Sequence, residues 1–338
     1  MNVKDLDIYD SGKMYKIYDN WPKIAMESYL SDLKPLSYSN IDNIIFAGMG
    51  GSGTIGDIFS SILSKTNIHV SVVKGYLLPR TVDSNTLVIV TSISGNTEEA
   101  LNVLELANKL KTNVIAFSSN GKMQKFCEKN NIEFRKITME HSPRASFTKF
   151  FYSMINVLKP ILPITDEEIE ESIYRLEEIN KNISSINLTQ NNKALNLAEW
   201  ISGIPLIYFP AGLNAAAIRF KSSLQENSKI HVITEDIIEA CHNGIVAWEH
   251  SSNVQPILLK GADDFLKTKQ RWSIIEDFFD ERKIDYNSVN SVDGNILSKL
   301  ICLIYVLDYT SIYLAIKRKI NPSTVDSINY IKNKLNSR

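Results

Sequence analysis

Two loop sequences decide the fold of this chain: GMGGSGTIGD at residues 48–57 and TSISGNTEE at residues 91–99. The first follows a short apolar run at residues 43–47, and the second follows another at residues 86–91. Glycine lets a backbone approach a ligand closely, and the first turn of a helix favours an anion. The pattern predicts two strand–loop–helix units whose loops lie at the carboxyl ends of parallel strands, where α/β proteins bind ligands.

The same alternation of apolar runs and amphipathic helices extends over most of the chain. Further apolar runs lie at residues 68–73 and 114–118, and residues 100–110 carry apolar side chains at the spacing of one helix face. A polar stretch rich in Glu, Asn and Ser at residues 166–192 then precedes a second half of the same kind. Apolar strands between amphipathic helices favour parallel sheets that are covered on both faces.

The second half repeats this logic with little sequence similarity to the first. Strands are predicted at residues 204–209, 230–233 and 256–259, and helices at residues 213–225, 265–279, 296–316 and 324–335. The apolar stretch at residues 300–316 is interrupted by Asp308, which favours a buried helix over a membrane span of about 20 apolar residues. The predicted domains are a helical lead-in (1–40), a first α/β domain (41–165), a linker helix (166–192) and a second α/β domain (193–338).

Composition narrows the function classes. The 338 residues include 37 basic and 38 acidic side chains, a net charge of −1, so a nucleic-acid partner is not expected. The three cysteines are scattered, and the N-terminus lacks the apolar core of a signal peptide, so we expect a cytoplasmic protein without a membrane partner. No Asp, Glu, His or Cys cluster has metal-ligand spacing, and neither a metal nor a cofactor is expected.

The glycine loop has competing interpretations. Gly48, Gly50 and Gly53 match the G-x-G-x-x-G pattern of dinucleotide-binding proteins. That pattern requires an acidic residue at the end of the second strand to hold a ribose, and Lys74 stands there instead. A tight strand–helix turn without any ligand is the other alternative.

The second loop favours a phosphate. One hydroxyl before a helix is an ordinary N-cap, but Ser92, Ser94 and Thr97 exceed what capping needs. Together they could surround a phosphate with hydroxyl and amide donors at the positive end of the helix. We therefore predict a phosphate site formed by these three residues, with Gly51 and Ser52 contributing from the glycine loop.

Further motifs resemble one family. The two loops, together with SPRAS (142–146), QEN (225–227), CHN (241–243) and NPST (321–324), resemble the bifunctional phosphoglucose/phosphomannose isomerases, which are built from sugar isomerase (SIS) domains. The resemblance implies two flavodoxin-like subdomains and a homodimer. It also implies an aldose–ketose isomerase that interconverts glucose 6-phosphate, mannose 6-phosphate and fructose 6-phosphate through a cis-enediol(ate).

The resemblance also implies residue roles. Glu226 would move the proton between C1 and C2, whereas spacing alone favours an ordinary solvated glutamate at a helix end. His242 would act on the ring oxygen and would reach the active site from the partner subunit. Arg144 would stabilise the enediolate oxygen. Lys332 would be the closing active-site lysine, with Lys334 as the alternative.

Some assignments stay open. Ser323 or Thr324 would supply a hydroxyl that lets the family accept both C2 epimers, and this chain reads Pro-Ser-Thr-Val where Pro-Thr-Pro-Val is more usual. His141, beside the Pro143–Arg144 pair, is a second candidate histidine by proximity. The rival functions are a regulator that binds a phosphosugar without converting it, and an isomerase of another phosphosugar, such as a ketoheptose or an amino sugar.

Overall fold

The computed structural model describes residues 1–337, and its N-terminal half is a parallel sheet preceded by helices. The elements in chain order are α1 (Val3–Tyr9), α2 (Met14–Asp19), α3 (Trp21–Tyr29), β1 (Asn43–Ala47), α4 (Gly51–Leu63), β2 (His69–Val73), β3 (Thr86–Ser92), α5 (Glu98–Leu110), β4 (Asn113–Ser118), α6 (Gly121–Asn130), β5 (Glu133–Lys136) and α7 (Phe147–Leu158). The strand order is β2-β1-β3-β4-β5, and all neighbouring strands are parallel. This is the flavodoxin-like order, so the predicted fold class is confirmed.

The C-terminal half contains a second parallel sheet. Its elements are α8 (Asp166–Ile183), α9 (Lys193–Trp200), β6 (Ile204–Phe209), α10 (Asn214–Ser223), β7 (Ile233–Asp236), α11 (Ile237–Ala240), β8 (Val254–Lys260), α12 (Leu266–Glu281), β9 (Asn287–Asn290), α13 (Ile296–Lys317) and α14 (Asp326–Asn336). The strand order is β7-β6-β8-β9, again parallel throughout.

Two features of this second sheet were predicted wrongly. The strand expected at residues 230–233 lies three residues later, because Ile233, not Ile230, pairs in register with Leu206 of β6. Val232, which suggested a strand, is buried in the preceding loop. β9 was not predicted at all, since its sequence Asn-Ser-Val-Asn is polar. Both β7 and β9 are edge strands, which do not need the apolar runs of central strands.

α13 is the central helix of the molecule. It is long and apolar enough to cross a membrane, but 94% of its most apolar window is buried inside the protein, so the predicted buried helix is confirmed. The N-terminal helices pack against it: the Trp21 ring stacks on Tyr305 with centroids 4.9 Å apart. One hydrophobic core therefore contains residues of the lead-in and of both halves. The division of the chain at residues 40, 165 and 192 stays a prediction.

A buried ion pair joins α10 to α13. The Arg219 side chain is 2% exposed and that of Asp308 is fully buried, and the guanidinium Nη2 lies 2.7 Å from the carboxylate Oδ2. Asp308 also accepts a 2.5 Å hydrogen bond from Ser223, and Arg219 Nη2 donates to the Arg144 carbonyl at 2.8 Å. The pair thus fixes the two helices and the Arg144 backbone relative to each other.

Asp308→Asn keeps the side-chain size but leaves the Arg219 guanidinium without a counter-charge. We expect the free energy of unfolding to fall by about 3–5 kcal/mol, as for other broken buried ion pairs. Urea unfolding followed by circular dichroism measures this loss. The control is Asp263→Asn, which breaks the pair of Lys299 with a carboxylate that is 69% exposed and should cost at most about 1 kcal/mol. Equal losses in the two variants would contradict the role of the buried pair.

Candidate active site

The hydroxyl-rich loop after β3 is held in one conformation. Ser92 donates a 2.9 Å hydrogen bond to Thr97 Oγ1, so these two hydroxyls face each other across the turn. Gly95 has a φ of +71°, and a Cβ there would lie 1.7 Å from the Asn120 carbonyl oxygen, so no other residue fits. Ser94 and Thr97 are half-buried, and the Thr97 side chain makes no capping hydrogen bond to the α5 backbone. These contacts fix the shape of the loop. The Thr97 hydroxyl is not used to cap α5.

The glycine loop lies beside it. Ser52 accepts a hydrogen bond from the Ile93 backbone at 3.4 Å, which connects the two loops directly. A Cβ at Gly51 would lie 3.3 Å from Arg219 Nη1 and 3.6 Å from the Arg144 Cα. The predicted phosphate-site residues thus share one edge of the first sheet, next to two arginines.

The dinucleotide alternative needs an acidic residue at the end of β2. Among the described residues, Lys74 stands at that position and pairs with Asp57 at 2.5 Å, so no free carboxylate is available there for a ribose.

Arg144 and Glu226, which were each predicted as active-site residues, lie in contact. The guanidinium Nη1 is 3.2 Å from Glu226 Oε2, and the two side chains are 7% and 27% exposed. The other guanidinium nitrogens are also occupied: Nε donates to Asn227 Oδ1 at 2.7 Å and Nη2 to the Pro322 carbonyl at 2.5 Å. The carboxylate is reachable from solvent, while the guanidinium is fixed from three directions.

Glu226 owes its position to a π-helical turn, Leu224–Ser228, that ends α10. Single π turns within helices occur frequently at functional sites. The turn is anchored on α13, because Asn227 donates to Ser311 Oγ at 2.9 Å and Ser228 donates to the Ser311 carbonyl at 2.7 Å. These contacts bury Asn227 and Ser228, while Glu226 in the same turn stays 27% exposed.

Lys229 belongs to the site but was not predicted. Its ammonium group donates to the Glu226 carbonyl and, at 2.8 Å, to the Thr324 carbonyl, so it connects the π turn to the loop before α14. Burial, followed by the nearby Arg144 charge, lowers the pKa of Lys229. In the sequence it looks like any lysine at a helix end, and the only available signal was its position three residues after Glu226.

The two hydroxyl candidates differ in their surroundings. Ser323 is half-buried, with Oγ 3.3 Å from His141 Nε2, and it follows the Pro322 carbonyl that accepts from Arg144. Thr324 is exposed, and its hydroxyl contacts only the Asn321 carbonyl, at 3.3 Å. Of the two hydroxyl candidates, Ser323 is therefore the one directly linked to Arg144, through the carbonyl of the neighbouring Pro322.

Two predicted residues lie apart from the Arg144–Glu226 pair. His242 is exposed in the loop after α11, and within residues 1–337 its side chain makes no hydrogen bond or ion pair. Lys332 is exposed on α14 and is likewise unpaired in the part of the chain that the structure describes. Lys334, the alternative, lies over the Tyr330 ring on the same helix. Within residues 1–337, none of these three side chains forms a hydrogen bond or an ion pair with Arg144 or Glu226.

Two parallel sheets with ligand loops at the strand ends are the architecture of the sugar isomerase domain class. Residues 37–159 match the SIS domain family, and residues 190–335 match the bacterial phospho-glucose isomerase C-terminal SIS domain. The chain is 31% identical over 306 residues to the bifunctional phosphoglucose/phosphomannose isomerase of Caldicellulosiruptor bescii, with 88% of this chain and 90% of that protein covered. The chain belongs to the bifunctional phosphoglucose/phosphomannose isomerase family.

More distant proteins share the architecture. The D-glucosamine-6-phosphate 4-epimerase of Sulfolobus acidocaldarius is 24% identical over 249 residues, which cover 73% of this chain and 77% of that protein. The solved structure of a tagatose-6-phosphate ketose/aldose isomerase from Escherichia coli superposes with a TM-score of 0.69 and 16% identity, covering 93% and 96% of the two chains. At that identity the likeness shows the fold alone.

The hydroxyl loop gives a prediction for anion binding. Replacing both Ser94 and Thr97 with alanine removes two donors to a bound phosphate, each worth about 1.5–3 kcal/mol when the acceptor is charged. The Kd for inorganic phosphate, measured by calorimetry, should rise at least about tenfold. Ser84→Ala, an exposed serine at the opposite end of β3, is the control and should leave the Kd unchanged. An unchanged Kd in the double variant would place the anion elsewhere.

Proposed function

We propose that the protein interconverts glucose 6-phosphate and mannose 6-phosphate with fructose 6-phosphate. The observation that carries this proposal is the contact between Arg144 and the half-buried Glu226 carboxylate, 3.2 Å apart. Moving a proton between C1 and C2 requires a base and a cation that stabilises the enediolate charge. A protein that only binds phosphosugars would need the two loops but neither of these side chains.

In the proposed reaction, the substrate phosphate binds at Ser92, Ser94 and Thr97, beside Gly51 and Ser52. Glu226 removes the proton from C2 of the open-chain aldose, which leaves the cis-enediolate with its negative charge on O1. After a proton has moved from O2 to O1, Glu226 returns its proton to C1, and the C2 carbonyl of the ketose forms. The Arg144 guanidinium stabilises the negative oxygen of the cis-enediolate between these steps, and its fixed planar geometry suits that charge better than a flexible ammonium group. The proposed chemistry requires no metal and no cofactor.

Ring opening needs a further proton carrier, for which we propose His242 of a second copy of the chain. Its exposure in the single chain, away from the Arg144–Glu226 pair, supports a role across a subunit interface. Two-fold homodimers are the commonest assemblies, and their symmetry would complete both sites at once. Lys332 on the exposed helix α14 would join the active site in the same assembly.

The proposed setting is the cytoplasm, in glycolysis and gluconeogenesis. Hexose phosphates are charged and stay in the compartment where they are made. The buried free thiols of Cys127 and Cys302 suit a reducing compartment. An isomerase of another phosphosugar is the main alternative. Because one relative is named D-glucosamine-6-phosphate 4-epimerase, an amino sugar phosphate is the specific alternative substrate.

A coupled assay that starts from fructose 6-phosphate and scores glucose 6-phosphate and mannose 6-phosphate separately tests the function. Glu226→Gln keeps the side-chain shape but removes the base, so kcat should fall at least about 100-fold while KM changes little. The control is Glu281→Gln, an exposed glutamate at the end of α12, which should retain full activity.

Two results would contradict the proposal. If the unmodified protein converts none of the three sugar phosphates but acts on an amino sugar phosphate, the substrate assignment is wrong. If Glu226→Gln keeps its kcat, the assignment of the base is wrong.

Hybrid dimers test the shared site. Glu226→Gln and His242→Ala should each be inactive alone, but a heterodimer would combine one intact Glu226 with one intact His242. After complete subunit exchange of an equal mixture, half of the dimers carry one intact site, so about one quarter of the unmodified activity should return. Mass spectrometry shows whether the subunits have exchanged. If they have exchanged and no activity returns, both residues act within one chain.

A further inference from the structure

A second polar cluster lies next to the candidate active site, and apart from Ser323, a candidate substrate hydroxyl, its members have no part in the proposed chemistry. It contains Asp10 at the end of α1, His141 in the loop before α7 and Ser323 in the loop before α14. These residues are far apart in the sequence. Asp10 is fully buried, and its Oδ2 accepts a 2.8 Å hydrogen bond from the Tyr15 backbone. His141 Nε2 lies 3.3 Å from Ser323 Oγ.

The N-terminal turn covers this cluster closely. A Cβ at Gly12 would lie 2.6 Å from His141 Nε2 and 2.7 Å from Ser323 Oγ, so a side chain at this position would displace one or both of these groups. The adjacent Ser11 accepts a 3.0 Å hydrogen bond from the Asn321 side chain. The lead-in helices, which precede the matched domain at residues 37–159, therefore reach the edge of the active site.

The cluster also contains unsatisfied polar atoms. Asp10 Oδ1 and His141 Nδ1 are buried and have no hydrogen-bond partner among the described residues. Such atoms are costly and are retained mainly where they serve a function. Burial lowers the pKa of His141, so its imidazole is neutral near pH 7, with one nitrogen as donor and the other as acceptor. Burial also raises the pKa of Asp10, against the opposing hydrogen bonds from the Tyr15 and Met14 backbone.

The connection to the active site runs through two neighbouring residues. Pro322 accepts from Arg144 through its carbonyl, and Ser323 contacts His141 through its hydroxyl. His141 and Arg144 belong to one loop, three residues apart, so this loop holds the 321–324 segment at two points. Contacts at two neighbouring residues fix the orientation of the 321–324 segment, whereas a single contact would let the segment rotate.

We propose that His141, through its contact with Ser323, is a positioning residue that fixes the Pro322 carbonyl and thereby the orientation of the Arg144 guanidinium toward the substrate. The proposal rests on the isomerase function proposed above. His141 does not touch the reacting atoms. It acts through Ser323, and the N-terminal turn at Gly12 holds the pair in place. Misplacement of a transition-state donor lowers the rate without changing how the phosphate is bound.

The test is a double-mutant cycle of His141→Leu and Ser323→Ala in the full-length protein, with kcat and KM measured for fructose 6-phosphate. Each single variant should lower kcat about tenfold with KM nearly unchanged. The double variant should lose no more than the worse single one, because both remove the same contact. His141→Gln, whose amide can still reach Ser323, should recover most of the activity.

Ser11→Ala is the control, since it breaks the Ser11–Asn321 hydrogen bond but leaves the His141–Ser323 contact intact. It should not change kcat. Thermal unfolding of every variant separates a loss of fold from a loss of positioning, and the half-buried Ser323 offers a mild substitution if His141→Leu does not fold.

The outcomes distinguish this proposal from the function it rests on. An unmodified protein without isomerase activity would overturn both. An active protein in which the two losses multiply, or in which His141→Gln is as slow as His141→Leu, would overturn the positioning role alone. A rise in KM at constant kcat would also overturn it, because His141 would then contribute to binding.

Discussion

The Arg219 guanidinium is only 2% exposed, so its charge and its N–H donors need partners inside the protein. Asp308 supplies the counter-charge, and the Arg144 carbonyl accepts a further hydrogen bond. The pair joins α10 to the central helix α13, and α10 leads directly into the π turn that carries Glu226. The Arg144 backbone is held by the same guanidinium. The positions of the proposed base and the proposed cation therefore both depend on one buried ion pair, whose loss would disturb the fold and the site together.

The fold could be predicted from the sequence because glycine loops and hydroxyl loops that follow apolar runs are typical of few architectures besides parallel α/β sheets. The positions of edge strands could not, since β9 and most of β7 lack apolar periodicity and are defined by pairing with β8 and β6. The roles of Arg144 and Glu226 were expected from family resemblance, and the contact between their side chains was not itself predicted. Lys229 was missed because its sequence position is that of any lysine at a helix end, and its contact with the Thr324 carbonyl spans 95 residues. Asp10 was missed because His141 and Ser323 are distant from it in the sequence, and a single sequence gives no signal for such contacts.

Three parts of the chain meet at Arg144: the loop that contains it, the π turn after α10, and the segment before α14. The guanidinium has three acceptors there, namely the Asn227 amide, the Glu226 carboxylate and the Pro322 carbonyl. A guanidinium held this way needs little reorganisation when charge develops on a substrate oxygen, which is the main source of electrostatic catalysis. The Glu226 carboxylate, in contrast, is 27% exposed and stays accessible from solvent.

The central claim is that Glu226 transfers the proton between C1 and C2. Its most direct test is the incorporation of solvent deuterium at C2 of glucose 6-phosphate, followed by NMR for the unmodified protein and for Glu226→Gln at equal phosphosugar occupancy. The account predicts ready exchange in the unmodified protein and a rate at least about 100-fold lower in the variant. Exchange at the unmodified rate in Glu226→Gln would contradict the account and would leave only the fold and the phosphate site in place.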